Sequence, residues 1–499
     1  MKLIYFVLLF IGVCSACYDN KGSSDYVEKL DIRVENIDES INVSVASVLE
    51  LHPKIYPEDR EYECFWGIAN VNNQYGVIDT LSKERDLNVQ INLKTGSYLL
   101  RFCAKDLKTG IFSYTEYKLS VQTDMSIGWW VLKDGVNGAD IDLFAPDRKI
   151  ENVIYARNGK ALAGKALDMS YTNYYRVYDP VTSTDELTKA VFVGSSEDLV
   201  VMDFFTGRII RNFEELFYET PKHQTVQALF RGASDTHVIV DNQLYTMPNM
   251  RYSSYRQFAI QHQGDYKISS YRNATGWSNP LLFDELTSSF CTVTRNSLDL
   301  NFLGNDITPA PHKNLDMDLL FLGARTLSTD YLGAYAFAIL KKKNEASYKL
   351  AYLSGTPAVD KNPMQEQLKD LPNTLGVLHA DFRAMNQDND IIYFSKDNKI
   401  FSCNLVTFEE REQDLNFATT GERITYMEYV KYAPWDANND WFTYLVIATM
   451  QGEHYKLYLH PVQAGVIQPA IKTFEGEGQV KKAIYMKMAG GYVNTSTFF

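Results

Sequence analysis

The sequence predicts an all-β protein in two parts, an antiparallel sandwich followed by a β-propeller-like region of about seven blades. Three observations lead there. Apolar and polar residues alternate in short segments from residue 26 onward, as in LDIRV (30–34), INVSV (41–45) and LNVQINL (87–93), and period-2 alternation between turn residues marks half-buried strands. Hairpins recur farther along, in AVFVGSSEDLVVMDFFTGRII (190–210), VIVDNQLYT (238–246), IIYFSKDNKIFSCNL (391–405) and YLVIATMQGEHYKLY (444–458). In each, an apolar strand ends at a tight turn and a second strand follows. Finally, 499 residues exceed the roughly 250–300 at which one core stops growing. The last roughly 375 residues fit seven repeats of about 40–55 better than one sandwich.

The elements follow in order. Met1 and Lys2 precede LIYFVLLFIGV (3–13), an apolar run of signal-peptide length and about half a membrane span. Cys14-Ser15-Ala16-Cys17 resembles the lipobox of bacterial lipoproteins. That resemblance implies a signal peptide at 1–16, cleavage before Cys17 and acylation of Cys17, several acyl chains being enough for stable anchoring. Residues 17–25, YDNKGSSD after the cysteine, are small and polar, as a flexible tether requires.

Residues 26–123 form the predicted sandwich. YECFW (62–66) places Tyr62, Cys64 and Trp66 on one strand face, and GSYLLRFCAKD (96–106) does the same for Tyr98, Leu100, Phe102 and Ala104. A buried Trp on one strand, with a Tyr-led strand ending in Asp, looks like an immunoglobulin-like or PKD-like domain. Parity puts Cys103 on the face opposite Tyr98, so Cys64 and Cys103 are expected as free thiols. Residues 124–499 form the propeller-like region, interrupted by short helices expected at 212–217 and 360–368. Trp129 and Trp130 stand at the junction, where packing between domains is expected.

Several segments carry a closer resemblance. GWWVLKDG (128–135), ADIDL (139–143), Cys17-Tyr18-Asp19, FEELF (213–217), NQLY (242–245), GDYKIS (264–269) and FDEL (283–286) are similar to PKD-like family lipoproteins, over residues 17 to about 290. LVVMDFFTGRII (199–210) also resembles the inner strands of quinoprotein-type blades. The family resemblance implies an outer-membrane lipoprotein facing the cell exterior. It further implies partnership with a SusC-like TonB-dependent barrel and a SusD-like lipoprotein that import oligosaccharides or peptides. No family catalytic motif carries over, and Cys17 is the single functional residue that does.

Composition narrows the chemistry. Lys and Arg number 49 against 62 Asp and Glu, a net charge of −13, which argues against a nucleic-acid binder. The eight histidines make no HExxH or close metal-binding pair, and no GxSxG, P-loop or GxGxxG occurs. No cofactor, metal or catalytic residue is therefore expected. Asp140/Asp142, Asp316/Asp318 and Asp388/Asp390 have the spacing of a calcium or acid/base pair, but solvated strand-end carboxylates are the expectation. Asp436 to Asp440 starts like a calcium loop, yet Trp441 stands where the turn glycine belongs. Aromatics in loop-like contexts offer binding platforms instead, namely Trp277, Trp435, Trp441, Tyr174 and Tyr175, with Tyr171 beside the last two. The expected function is a non-enzymatic accessory of an importer, binding peptide or glycan. A surface hydrolase with carboxylates drawn from distant blades and a structural subunit of an outer-membrane assembly are the competing readings.

Overall fold

The computed structural model describes residues 30–496, apart from 46, 71–77, 92, 94, 180–183, 223, 233–234, 275–277, 296, 305–308, 326–334, 434–440 and 490–491. Cys17, Trp277 and Trp435 lie outside the described residues, as does the 436–440 loop. The chain divides after Gln122 into two compact units.

In the first unit, one sheet runs in the order Ser40–Ser44, Phe112–Gln122, Gly96–Asp106, Tyr62–Asn70, Asp79–Ser82. Ser40–Ser44 lies parallel to Phe112–Gln122 and the other pairs are antiparallel. Two short pairs complete the fold, Val48–Leu51 with Leu87–Gln90 and Arg33–Glu35 with Lys54–Tyr56. The alternation does what it predicts. Tyr98, Leu100, Phe102 and Ala104 point inward with Trp66, whose ring centre is 4.5 Å from that of Phe102. The Trp66 indole N–H donates to the Arg85 carbonyl at 3.0 Å, so the largest core side chain buries no unpaired donor. Cys64 opposes Ala104 and Phe65 opposes Cys103 in register. Both thiols are free.

Among the described residues, the second unit contains seven antiparallel sheets, each a run of consecutive strands save one. Blade two is Ala166–Asp179, Thr184–Ser195, Leu199–Asp203 and Ile209–Arg211. Blade three is Val226–Gly232, Asp235–Val240 and Gln243–Met247. Blade four is Leu282–Asp284, Ser289–Thr292 and Asn301–Phe302, its inner edge supplied by a segment bridged at Ile268 and Asn273. Blade five comprises Met317–Arg325, Tyr335–Lys342, Tyr348–Ser354 and Lys369–Leu371. Blade six comprises Phe382–Met385, Ile391–Lys396, Lys399–Asn404 and Glu410–Asn416. Blade seven is built on Arg423–Tyr432, Phe442–Gln451 and His454–Gln463.

The exception is blade one. Its strands Ile127–Gly135, Gly138–Phe144 and Lys149–Ile150 are joined by Gln479–Ala489 from the far end of the sequence, with Tyr492–Thr495 added beyond it. The ring is closed by this pairing. Packing confirms closure, because each neighbouring pair of blades shares one apolar cluster, including the seventh with the first. Turn chemistry matches the hairpins: Asp241-Asn242 and Asp397-Asn398 have φ of 51° and 61°, and 53° and 57°, the doubly left-handed turn that Asn and Asp tolerate.

Trp129 and Trp130 are not spent on packing between domains. Successive residues of one strand face opposite ways, so Trp130 enters the cluster between blades one and two, stacked 5.5 Å from Phe204. Trp129 enters the cluster between seven and one, beside Phe442 and Tyr485. The helix expected at 212–217 is present as Phe213–Leu216, with Asn212 and Glu215 forming a capping box. No helix forms at 360–368. The Ser354 N–H donates to the Pro363 carbonyl and the Gln365 N–H to the Tyr352 carbonyl, so pairing with the edge of blade five wins over helix formation.

Asp140 and Asp142 are not solvated. Both are buried. Asp142 lies 2.8 Å from the Lys133 ammonium, accepts the Tyr455 hydroxyl at 2.6 Å and accepts the Asn152 N–H at 3.0 Å. Asp140 accepts the N–H groups of Ile154 and Tyr155 at the start of the helix Val153–Asn158. The pair therefore ties blade seven to blade one and caps a helix, which leaves it unsuited to a cation. Asp316 and Asp318 are exposed. Asp388 accepts from Tyr429 and Lys431, and Asp390 pairs with Arg325.

Blade three holds a buried polar chain. The Gly232 carbonyl lies 3.1 Å from His237 Nε2, which must therefore donate, leaving Nδ1 to accept from the Thr246 hydroxyl at 2.8 Å. Thr246 Oγ1 in turn accepts from His262 Nε2 at 2.7 Å. One hydroxyl serves two neutral imidazoles, donating to His237 and accepting from His262, and burial pushes His237 down to about 3 and His262 to about 4.

Two outcomes follow. Replacing Trp130 or Trp129 by Ala costs about 3–5 kcal/mol, read as a lowered midpoint in urea unfolding. Unfolded histidines titrate near pH 6.5, so above that pH neither form takes up a proton. Below it the unfolded chain binds protons that the folded chain refuses, and stability falls as pH drops from about 6.5 through about 4. His262→Gln flattens that slope in denaturation curves recorded across the same range.

Candidate functional site

The inner strands of a closed ring run side by side around its axis, and here all seven blades contribute to one cavity of about 420 Å³. Its wall is built from Leu167 and Asp168 of blade two, Gln227 of blade three and Tyr271 to Asn273 of blade four. Phe321 to Ala324 of blade five, Arg383 to Met385 of blade six, Tyr426 to Tyr429 of blade seven and Lys481 with Lys482 of blade one complete it. These residues lie near the starts of Ala166–Asp179, Val226–Gly232 and Gln479–Ala489, midway along Arg423–Tyr432, and toward the ends of Met317–Arg325 and Phe382–Met385. The cavity is the mouth of the propeller channel.

Charge sets its character. Arg272, Arg383, Lys481 and Lys482 face Asp168 and Glu428, so the mouth is cationic although the whole chain carries −13. Both carboxylates are engaged. Asp168 is 2.6 Å from an Arg272 nitrogen and accepts the N–H groups of Leu229 and Met169 at 2.9 Å. Glu428 takes both its oxygens to Lys482 at 2.9 Å and accepts the Tyr426 hydroxyl. Burial and this carboxylate together hold the Tyr426 phenol well above the ordinary tyrosine range.

Arg383 is different. Its Nε donates to the Val377 carbonyl at 2.7 Å and one terminal nitrogen to the Leu378 carbonyl at 3.0 Å. No carboxylate pairs with it among the described residues, and burial lowers its pKa. The rigid anchoring of one side of the fork leaves the other edge of a planar donor toward the cavity. Lys481 reaches Asp134 only at 3.5 Å. Tyr271, edge-on to Phe321 at 6.2 Å, adds an aromatic wall. Such a site attracts an anionic group, orients it by bidentate hydrogen bonds and packs an apolar or ring portion beside it.

The aromatics singled out in the sequence fall elsewhere. Tyr175 is fully buried and packs edge-on against Phe192 in the core between blades two and three, so it is a core residue and not a platform. Its place in the long strand Ala166–Asp179, where alternation turns it inward, explains the difference. Tyr174 faces outward, and its hydroxyl accepts from Arg251 at 2.9 Å. Tyr171 lies under the Arg231 guanidinium, 4.9 Å from its ring centre. Trp441 is 54% exposed, next to the strand Phe442–Gln451. None of these lines the channel mouth. The residues that do were missed because each blade supplies a separate group of one to four of them, spaced far apart in sequence. One signal existed, since Arg383 is the single polar residue of the strand Phe382–Met385.

The Asp168–Arg272 pair is nearly buried, so removing one partner strands a charge. Arg272→Met costs about 3 kcal/mol, and adding Asp168→Asn restores more than half of it, as urea titration of the single and double variants will show.

Comparison with known proteins adds the following. No curated protein is similar in sequence. Solved structures similar in fold include a quinonprotein alcohol dehydrogenase-like protein from Bacteroides thetaiotaomicron VPI-5482, at 12% identity and a TM-score of 0.41 over 89% of this chain and 96% of that one. Dihydro-heme d1 dehydrogenase NirN is similar at 11% identity and a TM-score of 0.36, over 72% and 76%. The WD40 domain of SCAP from fission yeast is similar at 10% and 0.35, over 64% and 79%. Likenesses this distant say nothing of activity. In sequence, residues 17–166 match the PKD-like family, a span that takes in the whole sandwich and the first hairpin of the propeller, so the chain carries a PKD-like family domain at its N-terminus.

Proposed function

We propose that the protein is a lipid-anchored lipoprotein of the outer membrane, facing the cell exterior, that serves as a non-enzymatic accessory of a SusC/SusD-type TonB-dependent importer. It captures oligopeptides or oligosaccharides in the mouth of the propeller channel. The observation that carries the binding role is Arg383, a half-buried guanidinium without a carboxylate partner among the described residues, set beside Tyr271 in a cavity built by all seven blades. The anchor rests on the Leu3-to-Val13 run and the Ala16-Cys17 junction. The importer partnership rests on the family resemblance alone.

A binding role fits the channel better than hydrolysis. A glycosidase-type pair needs one carboxyl held protonated by its surroundings. Asp168 and Glu428 are instead each engaged by a cation, Arg272 and Lys482.

Capture of the native protein in mild detergent, followed by mass spectrometry, tests the partnership. The expected result is co-recovery of a TonB-dependent barrel and a SusD-like lipoprotein. Recovery without either overturns the importer reading. Cys17→Ala is expected to shift the protein from the membrane to the aqueous phase on detergent phase separation, and unchanged partitioning overturns the lipid anchor.

A further inference from the structure

Away from the channel mouth, the surface of blades two to four carries a second cluster of a different kind. Tyr252 and Tyr255 are 67% and 66% exposed, and Tyr178 and Tyr492 nearly half exposed. Arginines stack on these rings. Arg251 lies 5.2 Å from the Tyr174 ring centre and 5.5 Å from that of Tyr252, Arg295 lies 5.2 Å from Tyr252, and Arg256 lies 5.7 Å from Tyr178. A hollow of about 390 Å³ opens between Asn249, Tyr252, Ser253 and Arg295.

The carrier loop is held in place. Arg176 donates to the carbonyls of Met250 and Ser253 at 2.7 and 3.1 Å, and the Asn249 N–H donates to the buried Asp235 at 2.9 Å. The nearby carboxylates are accounted for, because Asp185 is shared by Arg176 and Arg256 and Asp235 is buried under the loop. Arg251 and Arg295 form no ion pair with a carboxylate among the described residues, and the buried Asp235 acts on Arg295 only from beyond ion-pair distance. They flank one exposed ring from two sides, in a protein whose overall charge is strongly negative.

We propose that this platform, Arg251–Tyr252–Arg295 with Tyr174 and Tyr255 around it, is a binding site for acidic oligosaccharides, sugars that carry carboxylate or sulfate groups. Guanidinium forks pair bidentately with either group. Exposed tyrosine faces supply flat, rigid apolar area against which sugar rings lie, with little entropy lost on binding. Stacking on the rings holds each fork in one plane before a ligand arrives, which lowers the cost of binding. The site is separate from the channel mouth and does not depend on the function proposed for it.

Calorimetric titration of the full chain tests this with three probes of matched length: a galacturonate oligosaccharide, a sulfated chondroitin oligosaccharide and a neutral dextran oligosaccharide. One or both acidic probes are expected to bind at least tenfold more tightly than dextran, weakening with salt, and the arm that binds identifies the group. Arg251→Ala with Arg295→Ala is expected to weaken binding at least tenfold, and the corresponding Lys pair severalfold, since charge survives but the fork is lost. Arg411→Ala, which removes an exposed arginine of blade six that lines neither cavity, is expected to leave this binding intact. Equal affinity for acidic and neutral probes, or loss of binding in Arg383→Gln but not in the Arg251/Arg295 variants, overturns the proposal.

Discussion

Everything in the larger unit depends on one pairing, that of Gln479–Ala489 with Ile127–Gly135. A blade is a twisted sheet with two apolar faces, and it is stable only when both are covered. Five blades meet a neighbour on each side simply by following one another along the chain. The first and last do so only if the end of the chain returns to the beginning. Because Trp129 and Trp130 project to opposite faces of the same strand, that return completes two clusters at once.

Polar chemistry ties the first hairpin of blade one to blade seven. Lys133, Asp142 and Tyr455 join strands from blades one and seven in a fully paired buried network. A one-residue slip of Gly138–Phe144 against Ile127–Gly135 would leave the lysine and the aspartate without each other, at a cost far above that of a mispaired apolar side chain. Apolar contacts supply most of the free energy here, and the ion pair supplies the discrimination. The channel mouth follows from the same closure, because only a complete ring brings Asp168, Arg272, Arg383 and Glu428 around one cavity.

Local patterns were legible in the sequence. Alternation located the sandwich strands and put Tyr98, Phe102 and Trp66 inside, and the Asp-Asn pairs at 241 and 397 marked hairpin turns. What depends on contacts between distant segments was not legible. Asp140 and Asp142 read as solvated because their partners, Lys133 and Tyr455, come from a neighbouring strand and from another blade. Tyr174 and Tyr175 looked alike in sequence and were separated by strand parity and a facing blade. The segment at 360–368 had helical composition, but an open sheet edge beside it offered better pairing. The channel residues are spread in small groups over seven blades, and no spacing rule links the groups.

Closure by the chain's last strand also sets a clock. Ribosomes deliver the chain from its N-terminus at about 5–20 residues per second, and about 350 residues separate the two strands that meet in blade one. The edge of Ile127–Gly135 therefore waits roughly 20–70 s for its partner. Through that interval the hydrogen-bonding edge and the Trp129 face of an unfinished blade are uncovered, a template for association with other chains. Synthesis rate, and any factor that shields that edge, thus bears on the yield of this protein as directly as its final stability does.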